Sequence, residues 1–479
     1  MVTCHFQKDS VVLPSRLIIC LWVSDWNPYL KRSTTKMTNF TQNHSMKQIT
    51  VVGAGLAGSE CALQLADMGY QVVLYEMRDK TMTPAHKTHK FAELVCSNSF
   101  GSMGEHSAPG QLKWEAKKLN SHILEAAFHA QVPAGQALGM DREVFSAYIT
   151  EKIHNHPRIE VRNDVVTSLD QIPRPAVIAT GPLTHDQLAE SMRKHFGDEF
   201  LYFFDAIAPI IDADSINTEI AWKADRYDKG TGDYYNCPMN KEEYNRFIEE
   251  IKNARKIEPK HFETTDFFEG CMPIEVMVDR GPQTLRFGPM KPIGLDDPRT
   301  GRYPWAVVQL RQDNKEGTAY NMVGFQTRMA YGEQVRVFRM IPGLENAEFL
   351  KLGSIHRNLF INAPKRLNKD LSSKNDPWLF FAGQITGVEG YFESTCTGLM
   401  VSRFLHQKLS DRVFTPPPRV SAMGSLLEAI TDETRAEHFQ PTNINFGLMP
   451  PLAEKERDKE IRKQKQISLA RTEFENWNA

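Results

Sequence analysis

The sequence predicts an α/β fold in which a parallel, nucleotide-binding layer is interrupted by an inserted α+β domain. Three observations carry that expectation. A Gly-rich turn at 53–58 lies between two β-type runs and opens a helix. A second strand-to-glycine element recurs at 379–390, and between about 203 and 328 the pattern changes to short β-runs and long Gly/Pro-rich loops.

Ile49 to Val52 is a β-type run, followed by Gly53-Ala54-Gly55-Leu56-Ala57-Gly58. Ser59 to Met68 then sets Ala and Leu at helical spacing, and Gly69 ends the helix. Gln71 to Tyr75 is a second β-run, closed by Glu76. In this order the first glycine makes a tight turn, the second admits a pyrophosphate to the backbone, and the third lets helix pack on strand. The anion sits on the helix N-terminus, where N–H groups point outward. Glu76 stands at the spacing of a carboxylate that binds ribose hydroxyls. A bare GxGxxG is common; its register with strand, helix and acid makes this one specific. It nominates Gly53, Ala54, Gly55, Leu56, Ala57, Gly58 and Glu76 as cofactor-binding, without separating FAD from NAD.

Further along, a helix is expected from Gln111 to about Ala130 and another from Asp141 to about Ile153, with short strands at 159–162 and 165–168. Ala176 to Pro182 reads as a strand ending in the turn Ala179-Thr180-Gly181, a form that lets backbone approach a dinucleotide. Leu379 to Gln384 repeats the strand-to-turn pattern, Gly387 and Gly390 follow, and a helix runs from about Ser394 to Leu409. The paired elements favour FAD, hence a Rossmann-like two-dinucleotide-binding FAD domain, and add Gly181, Gly383, Gln384 and Gly387 to the cofactor set. Gln384 occupies the place where many FAD proteins carry an Asp for the ribityl chain; it hydrogen-bonds without adding charge. The expected divisions are a FAD-binding part at 46–202, the insertion at 203–328 with a charged helix at 241–256, and a second FAD-binding part at 329–412. Pro416-Pro417-Pro418 then separates a tail, 413–479, with a solvated helix at about 455–466.

The 479 residues allow two or three domains. With 57 Lys+Arg against 59 Asp+Glu the net charge is −2, which excludes a global basic field and leaves any RNA site as a local patch. The 7 cysteines include no CxxC pair or Cys/His cluster of zinc spacing, which points to a reducing, cytoplasmic setting and no metal. Leu17 to Val23 is apolar but too short to span a membrane, and no small-residue cleavage site follows Trp22. Met46 directly precedes the first strand, so translation is expected to begin there; residues 1–45, if made, are expected to be a disordered leader.

Chemistry needs reactive side chains, and the cysteines are the candidates. Cys96 sits in Glu93-Leu94-Val95-Cys96-Ser97-Asn98-Ser99, Cys237 in Tyr235-Asn236-Cys237-Pro238-Met239, and Cys271 in Phe267-Phe268-Glu269-Gly270-Cys271-Met272-Pro273. A lone cysteine is more often a small buried residue than a nucleophile. Cys271 stands out because Gly270 and Pro273 mark an irregular, accessible backbone. Cys61 and Cys396 fall in helices and read as packing. Arg286 to Pro292, with Lys291, offers cations on a rigid loop that could hold a glutamate tail or a phosphate, or serve solubility alone. His356-Arg357-Asn358, with Lys365, Arg366, Lys369 and Lys374, is the best local basic patch for RNA phosphates.

These segments together resemble the folate- and FAD-dependent tRNA uracil-5-methyltransferases, the TrmFO family. The matching stretches include Gly53 to Glu60, Tyr75 to Arg78, Thr83 to His86, Phe91 to Ser99, Val132 to Gly135, Phe267 to Pro273, Phe287 to Leu295, Val308 to Arg311 and Phe381 to Tyr391. The resemblance implies that methylenetetrahydrofolate supplies a one-carbon unit, that FAD reduced by NADH or NADPH supplies electrons, and that C5 of uridine 54 in the tRNA T loop accepts. By position in the motif it makes Cys271 the nucleophile and Cys96 a flavin-side partner. It makes His356 a stacking partner for the pterin; Arg357 and Lys291, from the two cationic runs, are expected to bind substrate. Thr395 and Cys396 depart from the small residues usual before Thr397-Gly398. The alternatives are a wobble-position flavoenzyme, which is typically longer, and a non-catalytic tRNA-binding flavoprotein. Oligomeric state is left open.

Overall fold

The computed structural model describes residues 48–197, 201–206, 208–228, 231–257, 272–314, 316–353, 355–454 and 456–478. The expected leader and Cys271 lie outside the described residues.

The chain opens with β1 (Gln48–Val52), α1 (Leu56–Asp67), β2 (Gln71–Tyr75) and β3 (Ser99–Ser102). It continues through α2 (Ala108–Lys118), α3 (His122–His129), β4 (Gln131–Val132), β5 (Ala137–Met140), α4 (Arg142–His154), β6 (Ile159–Arg162), β7 (Ala176–Ile178) and α5 (Asp186–Phe196). A second stretch holds β8 (Leu201–Ala206), β9 (Ile210–Asp212), β10 (Trp222–Lys223), β11 (Tyr234–Met239), α6 (Lys241–Asn253), α7 (Ile274–Asp279) and α8 (Thr284–Phe287). It runs on through β12 (Ala306–Gln312), β13 (Ala319–Met322), α9 (Tyr331–Phe338), β14 (Phe349–Lys351) and β15 (Ile355–Phe360). The chain then returns through α10 (Ala363–Arg366), β16 (Leu379–Phe381), α11 (Tyr391–Leu409), α12 (Ala422–Thr431) and α13 (Lys459–Asn478).

The first sheet has the order β16-β7-β1-β2-β6, with every neighbouring pair parallel. Ile49, Val51 and Val52 are buried because a parallel sheet is covered on its faces. Helix α1 is buried along nearly its whole length. Gly398 of α11 makes the close approach possible, since a side chain there would overlap the Ala57 carbonyl. Thr395 and Cys396, the departures from the family pattern, are fully buried on α11, and Thr395 Oγ1 donates to Tyr391 O at 3.0 Å. The expected single helix at 111–130 is two helices. Asn120 turns at φ +57° and Ser121 caps Leu124 N–H, opening α3. Buried Glu60 accepts the His122 and Ile123 N–H groups at 3.2 and 2.8 Å, so a carboxylate from α1 satisfies the start of α3. The expected strand at 165–168 is not one; Ser168 caps a short turn with Gln171.

The second sheet is antiparallel, in the order β10-β11-β12-β13-β9-β14. The expected boundary at Arg328 falls inside this layer. Met329, Val337, Phe338, Ile341, Leu344 and Ala347 join its core, and β14 pairs with β9. The passage between layers is the two-stranded β8–β15 ribbon, so the return begins near Phe360. The tail is also corrected. Helix α12, which carries Met423, Leu426 and Ile430, and α13, which carries Ala470 and Phe474, belong to the first core. Buried Glu115 of α2 accepts the N–H groups of Ala422 and Met423 at 2.7 and 2.8 Å, capping α12.

Candidate active site

The first Gly-rich turn behaves as its chemistry requires. Gly53 has φ +101°, and a Cβ there would come 2.5 Å from the Ala179 carbonyl of the neighbouring turn. Gly55 caps α1 and has nothing within 4 Å of where a Cβ would stand, leaving open space above the helix N-terminus. A side chain at Gly58 would overlap the Gly53 carbonyl, so this glycine sets helix against strand. The first turn of α1 carries no acidic residue and no side-chain cap, so its N–H groups are left for an anion.

This turn forms one wall of a cleft of about 1040 Å³ that is partly open to solvent. Gly53, Gly55, Leu56, Ala57, Glu76, Gly181, Gly383 and Gln384 all line it, from strand ends as much as 330 residues apart in order. Ala54 and Gly58 do not line it, and Ala54 gives its N–H to Glu76 Oε2 at 2.9 Å. Gly387 does not line the cleft; its φ of +82° and lack of Cβ accommodate the ring of Phe439. Glu76 is buried and chelated by Arg78, whose Nε and Nη2 stand 2.9 and 3.2 Å from its oxygens. Burial opposes the charge, but Arg78 and the Ala54 and Arg78 N–H groups outweigh it and hold the carboxyl below its ordinary range.

Past Glu76 the chain wraps the cleft. Thr83, His86, Glu93, Val95, Tyr391 and Ser394 line it. Thr83 Oγ1 and His86 Nδ1 are 2.6 Å apart. Burial, then Arg78, pushes the imidazole down to about 4. Cys96 follows on a loop held from several sides. Its N–H donates to Tyr391 Oη at 2.6 Å, Arg142 Nη2 reaches its carbonyl at 3.4 Å, and Lys351 Nζ donates to Val95 O at 2.9 Å. Arg142 is itself clamped by both oxygens of Asp313 at 3.0 and 3.1 Å. Arg311 holds Ser97 Oγ and Asn98 Oδ1 at 2.9 and 3.2 Å. Burial, then Arg142, pushes Lys351 down to about 8. Arg142 and Lys351 both act electrostatically on Cys96, so charge developing on its sulfur meets two cations.

The other cysteines among the described residues differ. Cys61, Cys237 and Cys396 are fully buried, and burial pushes their thiols far up. His356 and Arg357 lie on β15, opposite Asp205 and Phe204 of β8; their side chains lie outside the described residues. Lys291 is exposed and does not line the cleft. The basic patch is weaker than its sequence suggests, because Lys369 pairs with Glu428 at 3.4 Å and Lys374 with Glu433. Those acids come from the C-terminal segment, which meets the patch at these two lysines. Sequence reasoning did not assign roles to Arg78, Thr83, His86, Glu93 or Tyr391. Arg78 alone carried an available signal, a polar residue just after the C-terminal end of a parallel strand, where α/β sheets bind ligands. Arg142, Arg311 and Lys351 gave no such signal, being far from Cys96 in order.

Comparison with known proteins defines the relationship. The model of the family described as glucose inhibited division protein A matches residues 48–412. The methylenetetrahydrofolate–tRNA-(uracil-5-)-methyltransferase TrmFO of Bdellovibrio bacteriovorus is 90% identical over 442 residues, covering 92% of this chain and 100% of that protein. The chain belongs to the TrmFO family. The TrmFO of Koribacter versatilis is 51% identical over 436 residues, covering 90% of this chain and 98% of its own length. The structure of Aquifex aeolicus GidA aligns with a TM-score of 0.61 at 15% identity, covering 90% of this chain and 74% of that one, and shows a shared fold. The TrmFO relationship and the cleft agree in kind: open glycine backbone, an uncapped helix N-terminus, a buried acid and a second glycine turn are a donor set that fits a dinucleotide. No helix among the described residues is long and apolar enough to cross a membrane.

Proposed function

We propose that this chain methylates C5 of uridine 54 in the T loop of tRNA, with methylenetetrahydrofolate as one-carbon donor, FAD in the cleft and NADH or NADPH as reductant. The observation that carries the reading is the Cys96 loop, held by Tyr391, Arg142 and Lys351 at the edge of the dinucleotide cleft. When bound and reduced, FAD supplies the electrons that convert a methylene to a methyl group. Gly53, Gly55, Leu56, Ala57, Gly181, Gly383 and Gln384 would hold it by backbone and small side chains, and Glu76 by its ribose hydroxyls.

Uracil C5 is a poor nucleophile until a thiolate adds at C6, and Cys271 is the thiol assigned to that step by its place in the family motif. Adding the thiolate to C6 moves electron density to C5, which forms the new carbon–carbon bond. That bond is to the methylene carbon of the folate. Loss of the C5 proton releases tetrahydrofolate and leaves an exocyclic methylene on the uracil. Its two-electron reduction to methyl, at the expense of NADH or NADPH, restores the C5–C6 double bond and expels the thiolate. Cys96 serves on the cofactor side, where Arg142 and Lys351 stabilise charge on its sulfur. The target base must leave its stack to reach these groups. The test is transfer of label from methylene-labelled folate to a T-arm RNA, with an anticodon-arm RNA and Cys271→Ala as controls. Absence of label in flavin-loaded enzyme rejects the reading; label only in the anticodon arm favours the wobble-type alternative.

A further inference from the structure

The cleft contains a histidine that the reaction above does not use. His86 lines it together with Thr83, Glu76, Gly55 and Gly383. Its Nδ1 lies 2.6 Å from Thr83 Oγ1, and the same oxygen accepts the His86 backbone N–H at 3.2 Å. Among the described residues that hydroxyl has no other acceptor, so the arrangement that satisfies both groups puts its proton in the short contact. Nδ1 therefore accepts, and the ring proton resides on Nε2. The loop cannot easily turn the ring away. Glu93 accepts the Lys87 and Thr88 N–H groups at 2.9 and 3.0 Å, and Arg78 Nη1 donates to Lys90 O at 2.8 Å.

The charges around the ring are Arg78, Glu93, Glu76 and Lys351. Arg78 is committed to Glu76 and Glu93, and Lys351 to the Val95 carbonyl. With Arg78 so held, the uncharged imidazole is a neutral donor in this part of the wall. Burial and Arg78 keep the imidazole uncharged, so its donor character is constant across the neutral range.

We propose that Thr83 and His86 form a fixed-tautomer hydrogen-bond donor whose Nε2–H binds an acceptor oxygen of the dinucleotide held in the cleft. His86 is thereby a positioning residue for the cofactor, with Thr83 setting its tautomer. The proposal rests on the reading of the cleft as the FAD site.

The test titrates full-length, flavin-stripped protein with FAD, following flavin fluorescence, beside thermal unfolding of each unloaded variant. His86→Ala should weaken FAD about tenfold, roughly 1.4 kcal/mol, at unchanged unfolding temperature. His86→Gln, which keeps an N–H near Nε2, should restore binding to within about twofold. Thr83→Val should weaken FAD several-fold and Thr83→Ser should not. FAD binding of the Ala variant equal to that of the parent overturns the donor role. A Val variant that binds like the parent overturns the tautomer lock. A parent that binds no FAD overturns the cofactor reading, and the proposal with it.

Discussion

Glu76 Oε2 accepts the Ala54 N–H at 2.9 Å and so ties the end of β2 to the turn that follows β1. The same carboxylate holds Arg78, which reaches on to Glu93 and Lys90. One side chain thus couples the glycine turn to the loop that carries His86 and leads to Cys96.

Replacing Glu76 with Ala should leave buried Arg78 without its main partner. The expected cost is about 3 kcal/mol in urea unfolding, with weakened FAD binding. The Glu76 carboxyl is held below its ordinary range, so its contribution is present above that range and lost as pH falls through the lowered value. Below pH 4.5 the parent should lose stability more steeply than Glu76→Ala.

Glu115 behaves in the opposite sense. Burial raises it to about 7 although Met423 N–H, Gln111 and Ala422 N–H all favour its charge. Below 4.5 both states are protonated and the benefit is full; it is lost as pH rises through 7. The unfolding temperature of the parent should therefore drop between pH 5 and pH 8 (on the order of a few degrees), and Glu115→Gln should flatten that slope. An equal slope in both proteins rejects the assignment.

Gly424 tests the tail. A side chain there would overlap the Pro418 carbonyl, so Gly424→Ala should destabilise the chain by about 1–3 kcal/mol in denaturant unfolding. A detached tail would show no change.

Tyr391→Phe removes the oxygen that accepts the Cys96 N–H. Methyl transfer should fall roughly tenfold, equivalent to one lost hydrogen bond, while FAD affinity changes little. Single-turnover rates and FAD titration separate the two effects.

Cys61, Cys237 and Cys396 are buried with thiols pushed far up. Brief treatment of native protein with iodoacetamide, read by peptide mapping, should leave all three unmodified. Rapid labelling of any of them contradicts their packing role.

Local order in the chain determined a good deal. The turn at 53–58, Glu76, and the elements at 176–181 and 379–384 each depend on residues adjacent in sequence, because glycine conformation, strand propensity and helix spacing act over a few residues. The boundary at Arg328 and the detached tail failed for the complementary reason. Polar-looking segments such as α13 bury only a few side chains, Ala470 and Phe474 among them, and which ones depends on a partner distant in order.

The sequence by itself determined that a dinucleotide turn exists, that a second one answers it, and that Cys96 stands close behind the first. Only the tertiary structure decided what surrounds them. Arg142, Arg311 and Lys351 converge on the Cys96 loop from three separate elements. Glu428 and Glu433 pair with Lys369 and Lys374, two of the lysines that looked like an RNA patch. Charge acts through space over a few ångströms, and sequence separation carries no information about that distance.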